Sequence, residues 1–285
     1  MPVDRTLDMD TLRRWTGKSE TVTDRIDRRQ ARLMQTALDR EATFAEGEDL
    51  PAFWHYLYFN PEIPASELGR DGHQKLGKFL PPVALPRRMW AGGRLKVQRP
   101  LVIGEWAERT STIKSVEMKE GKTGRLCFVT VLHEFSSNGQ ECFTERQNIV
   151  YREEPAPDAP QVPGRPTPDD AEFSRRIVPD PVLLFRYSAL TFISHRIHYD
   201  IDYVRNVEGY PGLIVHGPLT GTLLVGLALE QNPGRRLRAF DIRAESPLFA
   251  PHPFTIEGRR DGDVTHMWAR TPDDTTAMSI TLEFE

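Results

Sequence analysis

The sequence predicts an α+β protein made of two like halves, each an antiparallel sheet packed around a helix. Three observations carry this. Residues Glu153–Asp170 read EEPAPDAPQVPGRPTPDD, with six prolines and no apolar periodicity, and such a stretch neither continues a helix nor donates to a sheet ladder. On each side of it a helical pattern leads into a series of short strand-like runs. From Gly217 to about Gln231 the chain reads GPLTGTLLVGLALEQ, apolar all round. A helix of that kind must be buried on every side, which a curved sheet wrapped around it provides.

The first half, residues 1–152, opens with TVTDRIDRRQARLMQTALDR. Here Ile26, Leu33, Ala37 and Leu38 recur at near-helical spacing after an acidic, cap-rich start, predicting a surface-packed amphipathic helix. The aromatic run Leu50–Asn60 follows. From Arg94 the chain turns strand-like through LKVQRPLVI, AERTSTIKSVEMKEG, GRLCFVTVLHEFSS and ECFTERQNIVYRE, with Gly121, Gly124, Asn138 and Gly139 as turns. Residues 153–170 form the linker. The second half, 171–285, repeats the plan: EFSRRIVPD and PVLLFRYSA, a loop through Asp200, the apolar helix, then strands in RLRAFDIRAESPLF, FTIEGRRDG, THMWARTP and TAMSITLEFE. An internal duplication is implied, with a long apolar helix in each half.

Composition removes several functional classes. The chain has 285 residues, 37 Lys and Arg against 41 Asp and Glu, and a formal charge of -4, so a sequence-independent grip on nucleic acid has no electrostatic support. The two cysteines, Cys127 and Cys142, fall in neighbouring strands without the spacing of a metal box, and read as buried strand residues. The N-terminal residues lack the apolar core of a signal peptide, and no apolar run approaches the roughly 20 residues needed to span a bilayer. A reducing cytoplasm is the expected compartment. Glycine-rich phosphate loops and a nucleophile elbow are absent, GPLTGTLL lacking the serine, which weakens redox, kinase and serine-hydrolase readings.

The chemistry is concentrated between Phe185 and Gly217, FRYSALTFISHRIHYDIDYVRNVEGYPGLIVHG. Two histidines, an arginine and an aspartate share a loop, and His-Gly-Pro then opens the apolar helix. A helix starting at Gly217-Pro218 presents unsatisfied backbone N–H groups and a positive dipole end, which suits a carbonyl oxygen that gains negative charge. His198 would supply the proton transfer, because an imidazole near pKa 6.5 both accepts and returns a proton at neutral pH. This is the chemistry of a thioester active site.

The string YSALTFISHRIHYD followed by GLIVHGPL resembles the MaoC-like hydratase and dehydratase family, in its double hot-dog branch. Trp15–Glu20, Leu50–Phe59, Gly77–Gly93 and Asn148–Glu153 also match that branch, so the likeness runs along nearly the whole chain. It implies a double hot-dog fold, two antiparallel sheets each wrapped around a long central helix. It also implies a hydro-lyase that needs no cofactor beyond the coenzyme A carried by its acyl-CoA substrate, and no metal. The resemblance assigns His198 as the catalytic histidine and Gly217 as the oxyanion donor. The family's acid falls on Ile193, which can neither accept nor donate a proton, and His195 and Asp200 are the nearby replacements.

The expected reaction is reversible hydration of a short branched or dicarboxylic enoyl-CoA of the mesaconyl-C4-CoA or itaconyl-CoA type, giving a citramalyl-CoA type product. Dehydration of 3-hydroxyacyl thioesters on coenzyme A or an acyl carrier is the alternative, and Ile193 motivates a third, a thioester-binding protein without catalysis. Arg186 beside Tyr187 either pairs with a distal carboxylate or stands at a strand edge in water. Arg87, Arg88 and Trp90 line the pocket from the first half or serve packing. Asp200 either joins the site or caps a turn, and His216 hydrogen-bonds the loop behind the site. Arg235, Arg236 and Arg238 suit coenzyme A phosphates or form a solvated face. Two joined halves make a monomer feasible, and a homodimer is common by analogy.

Overall fold

The computed structural model describes residues 8–121, 124–153 and 164–285. Ten strands form one continuous antiparallel sheet. In the first half these are β1 (Ser19–Arg25), β2 (Arg87–Val97), β3 (Trp106–Gly121), β4 (Gly124–Ser137) and β5 (Gln140–Arg152). The second half adds β6 (Phe173–Ile177), β7 (Leu237–Ala244), β8 (Phe254–Asp261), β9 (Val264–Arg270) and β10 (Thr276–Phe284). Their spatial order is β1-β3-β4-β5-β2-β7-β10-β9-β8-β6. Each half therefore contributes five adjacent strands, and the halves join where Gly92–Lys96 of β2 pair with Ala239–Arg243 of β7. Of the proline-rich linker, residues 154–163 lie outside the described residues.

Five helices are described: α1 (Met9–Arg13), α2 (Arg28–Ala37), α3 (Pro181–Leu190), α4 (Ile201–Tyr203) and α5 (Gly217–Gln231). α5 is the expected central helix. Leu219, Leu224, Val225, Leu227 and Ala228 are buried, and the helix packs on β7, β8, β9 and β10. The first half fills its sheet differently. Its helix α2 has ten residues, starts on the Asp27 side chain, which accepts from the N–H groups of Arg29 and Gln30, and buries Ala31, Met34 and Gln35 while Leu33 stays exposed. The preceding TVTDR, read as the start of that helix, is strand β1. The space a second long helix would occupy is taken by the aromatic run, in which Phe53, Trp54, Leu57, Tyr58 and Phe59 are all buried. Aromatic side chains bury enough area to do this in a short segment.

PVLLFRYSA is helical as α3, so Arg186 stands on a helix and not on a strand edge. Asp180 accepts from the Leu183 N–H at 2.7 Å and Pro181 occupies the first turn, the start signal expected of a helix. Cys127 and Cys142 are buried free thiols, as expected. Among the described residues no helix is long and apolar enough to cross a membrane.

Candidate active site

The loop between α3 and α5 is built to hold one imidazole. Asp200 caps α4 by accepting from the Tyr203 N–H at 3.0 Å, and the same carboxylate takes both Nε and Nη2 of Arg196, at 3.0 and 2.7 Å. The Arg196 guanidinium lies over the Tyr203 ring at 4.2 Å. These contacts fix the 3-10 turn Arg196–His198, and the Ile214 N–H donates to Ile197 O at 3.0 Å from the other side. His198 is 8% exposed, and its Nδ1 lies 2.7 Å from Ile214 O. A carbonyl only accepts, so Nδ1 carries the proton and Nε2 keeps the free lone pair, the form a general base requires.

His198 stacks on His216, with ring centroids 3.6 Å apart. His216 in turn contacts Ser188 Oγ through Nε2 at 2.8 Å, while its buried Nδ1 has no partner. It is also the residue immediately before Gly217 and makes no side-chain cap of α5. Pro218 has no N–H, so the Gly217 and Leu219 N–H groups at the positive end of α5 are left for another acceptor. Trp90 covers this helix start so closely that a Cβ at Gly217 would lie 2.9 Å from its ring. His216 thus links the two, stacked on the His198 ring and adjacent in the chain to Gly217.

The first half supplies the rest of the surroundings. On β2, Arg88 and Trp90 alternate with Arg87 and Met89 and share a face. Arg88 lies near enough to His73, His195 and Tyr151 for its charge to bear on all three. Arg87 is engaged elsewhere, donating to Glu208 O at 2.7 Å and lying 5.3 Å over the Tyr210 ring. Arg186 is exposed on α3, and Tyr187 is buried against His216 with centroids 4.8 Å apart and an unpartnered hydroxyl. Asp200 is committed to the cap and to Arg196. Of the sequence-derived residues, the fold gathers His198, His195, His216, Gly217, Arg88 and Trp90, with Tyr187 behind them. Arg87 and Asp200 are committed to the interactions described, and Arg186 is exposed on α3.

Arg235, Arg236 and Arg238 lie beyond the opposite end of α5 and are paired with Asp263 and Glu285. Their charge is thus satisfied far from the histidines. Beside that end lies an apolar cavity of about 240 Å³ lined by Leu50, Phe53, Leu95, Phe143, Leu229 and Leu237. It holds none of the site histidines.

Two residues without a role in the sequence reading enter the site from the first half. Asp71 Oδ2 lies 3.0 Å from His73 Nδ1, the His73 ring is 3.9 Å from that of His195, and His195 is 5.5 Å from His198. The segment is clamped to the loop that carries His195 and His198. Ser194 Oγ donates to Gly72 O at 2.6 Å, the Arg196 N–H donates to Asp71 O at 2.9 Å, and a Cβ at Gly72 would fall 1.8 Å from Ser194 O. Only glycine fits there.

Burial, only partly offset by the bond to Ile214 O, pushes His198 down to about 4. Burial likewise pushes His133 on β4 down to about 4. An unfolded histidine titrates near 6.5, so between pH 6.5 and 4 the unfolded chain binds protons that the folded one refuses, and stability falls as pH falls through that window. Each group corresponds to roughly 3 kcal/mol at most. In the same direction, burial raises the Glu145 carboxyl, but the His55 hydrogen bond, the His55 and His133 charges and the Tyr56 hydrogen bond together outweigh it and hold Glu145 at about 2, a contribution present above pH 4.5 and lost towards pH 2. Urea unfolding midpoints are therefore expected to drop by a third or more, as a rough figure, between pH 7 and pH 4.5. A midpoint that stays level or rises would show the two histidines to be accessible to protons in the folded state.

Comparison with known proteins fits this arrangement. The family model described as hydroxyacyl-thioester dehydratase type 2 matches residues 53–250. The chain is 43% identical over 270 residues to the mesaconyl-C(4)-CoA hydratase of Chloroflexus aurantiacus, covering 94% of this chain and 96% of that protein. It is 28% identical over 229 residues to the mitochondrial hydroxyacyl-thioester dehydratase type 2 of Schizosaccharomyces pombe, covering 71% and 75%. Among solved structures, a MaoC-like dehydratase from Phytophthora capsici superposes with a TM-score of 0.67 at 14% identity, covering 98% and 99% of the two chains. A Mycobacterium tuberculosis protein described as a double hot-dog gives 0.59 at 11% identity, covering 94% and 96%. These two likenesses establish the architecture, and the matched sequence establishes the lineage. The chain belongs to the hydroxyacyl-thioester dehydratase type 2 family of MaoC-like double hot-dog proteins.

Proposed function

We propose that the protein is a hydro-lyase that adds water reversibly to a short dicarboxylic enoyl-CoA, with mesaconyl-C4-CoA or itaconyl-CoA as substrate. The observation that carries this reading is His198, with Nε2 free, stacked 3.6 Å from the residue that precedes the Gly217 amide. In the forward direction His198 Nε2 takes a proton from water as the oxygen bonds to the β-carbon. The π pair moves through the α-carbon onto the thioester oxygen, and the Gly217 N–H holds the resulting enolate. His198 then returns the proton to the α-carbon, which regenerates the base and the carbonyl. One well-placed donor of the Gly217 kind contributes on the order of 3 kcal/mol.

Arg88 supports a substrate with a second carboxylate, since a guanidinium on the site face of β2 offers a bidentate partner. The relative of 43% identity acts, by its name, on such a thioester. The test is loss of the conjugated thioester absorbance across a panel of enoyl-CoAs. Depletion of mesaconyl-C4-CoA or itaconyl-CoA is expected, and Arg88→Met is expected to raise KM for these about 10- to 100-fold, the loss of one charge-assisted pair. Depletion only of monocarboxylic enoyl thioesters, insensitive to Arg88→Met, would favour a 3-hydroxyacyl-thioester dehydratase. Tight binding with unchanged absorbance would indicate a binding protein.

A further inference from the structure

Hydration needs more than one group on the water. His198 Nε2 accepts one of its hydrogens, yet unless the other is also held the oxygen's lone pair is not aimed at the β-carbon. Ile193 stands where a polar partner is expected and offers only a hydrocarbon side chain. The structure brings a different set to the same place. His195 lies 5.5 Å from His198, ring centre to ring centre, edge on. The two rings stand edge to face with no hydrogen bond between them, close enough for one water to be shared by a nitrogen of each. Behind His195, at 3.9 Å, stands His73, and behind His73 the Asp71 carboxylate.

We propose that Asp71, His73 and His195 form a second imidazole system that orients the attacking water and takes the place of the polar group Ile193 lacks. This rests on the hydratase reading above. His195 is the catalytic member, touching the water; His73 and Asp71 are positioning residues. The carboxylate only accepts, so His73 carries its proton on Nδ1 and keeps Nε2 unprotonated, and its anchored ring packs on that of His195 and fixes where the second imidazole lies. One hydrogen of the water goes to His198 and is returned to the α-carbon. The other stays on the oxygen, held by a ring nitrogen of His195, and becomes the hydroxyl hydrogen of the product. No net proton enters or leaves the pair.

Two features favour this role over a cation site, although the three side chains offer ligand-type atoms within 4.8 Å of one another. Both Asp71 oxygens are already engaged by His73, Oδ1 by its N–H and Oδ2 by Nδ1, each at 3.0 Å. Arg88 also places a positive charge beside both rings. The segment is locked in register by Ser194 to Gly72 and Arg196 to Asp71, so the first half delivers its imidazole at a fixed place.

The test is steady-state hydration by the full chain, with wild type, His73→Ala, Asp71→Asn and His198→Ala compared on the enoyl-CoA that the panel identifies. Both positioning variants are expected to lose about 100-fold in kcat with KM within about threefold, the usual cost of a misplaced reacting group. Free imidazole is expected to restore His73→Ala at least tenfold, a rescue that a purely structural residue would not show. If His73→Ala does not fold, Asp71→Asn, nearly the same shape, decides by its kcat. Wild-type-like kcat in Asp71→Asn or His73→Ala, with His198→Ala inactive, overturns the water-orienting pair and leaves the hydratase reading standing. Turnover abolished by a chelator and restored by Zn²⁺ overturns it in favour of a metal. A wild type inert on every enoyl-CoA overturns both.

Discussion

His198→Ala is expected to lower kcat for enoyl-CoA hydration by about 10²–10⁴-fold, with substrate binding little changed. The effect is large because no neighbour can substitute. His216 is the nearest ring, but its Nε2 is engaged with Ser188 and its low exposure of 1% keeps it from water. Burial, and then the His198 and His195 charges, also drive the His216 pKa well below the usual value, leaving it neutral. The remaining activity should come from the Gly217 amide and from the water held by His195. A base held down to about 4 takes a proton from water only when the charge left on the acyl group is well stabilised, so the imidazole and the amide depend on each other. In wild type, kcat/KM should stay level from pH 8 to about pH 5 and fall below that as His198 becomes protonated. Burial sets this limb, with the bond to Ile214 O raising the value and the His73 charge lowering it. Near-normal turnover in a folded His198→Ala protein, judged by its thermal melt, would remove this histidine from the mechanism.

What the sequence discloses about this molecule follows the range of the interactions involved. α5 and its entry are local: fifteen residues apolar all round, introduced by His-Gly-Pro, specify a buried helix with an open N-terminus wherever they sit. The histidine is legible for the same reason, since its position relative to the helix start is a matter of spacing along one loop. The first half's helix is not, because duplication suggests a long apolar helix where Phe53, Trp54, Leu57, Tyr58 and Phe59 fill the space instead. Among the arginines, residue type alone does not separate Arg87 from Arg88; strand alternation does, once β2 is known to include both. Asp71 and His73 were invisible for a different reason. They lie more than 120 residues before His195, in a turn-rich segment with no periodicity, and only long-range contacts, Gly72 against Ser194, Asp71 O with the Arg196 N–H and the His73 ring on His195, tie them to the histidine loop. An Asp-Gly-His string reads as a turn until something is packed upon it.

Gly92→Ala is expected to be among the most destabilising single-methyl additions in the chain. β2 is the seam of the molecule, pairing with β5 on one side and β7 on the other, and Gly92 is opposite Asn148 and Arg243 at once. Its φ is 111°, a backbone that L side chains rarely adopt, and a Cβ there would lie 2.0 Å from Ile242 O. The carbonyl belongs to the partner strand's backbone, so relief requires β2 and β7 to part or the bulge after Trp90 to shift. The positive φ costs roughly 1–2 kcal/mol and overpacking another 1–3, so a loss of about 2–5 kcal/mol is expected. For a chain of this size that lowers Tm by roughly 5–15 °C. Gly139→Ala is the matched comparison, since Gly139 also has a positive φ, 72°, but nothing within 4 Å of its Cβ. It should lose only the conformational part, about 1–2 kcal/mol. Equal losses for the two variants in denaturant melts would mean that the seam yields at no cost, and that the halves are held together by α5 and the loops and not by the β2–β7 pairing. A much larger loss at Gly92, accompanied by reduced hydration activity, would place the alignment of Arg88 and Trp90 over the Gly217 amide under the control of that pairing.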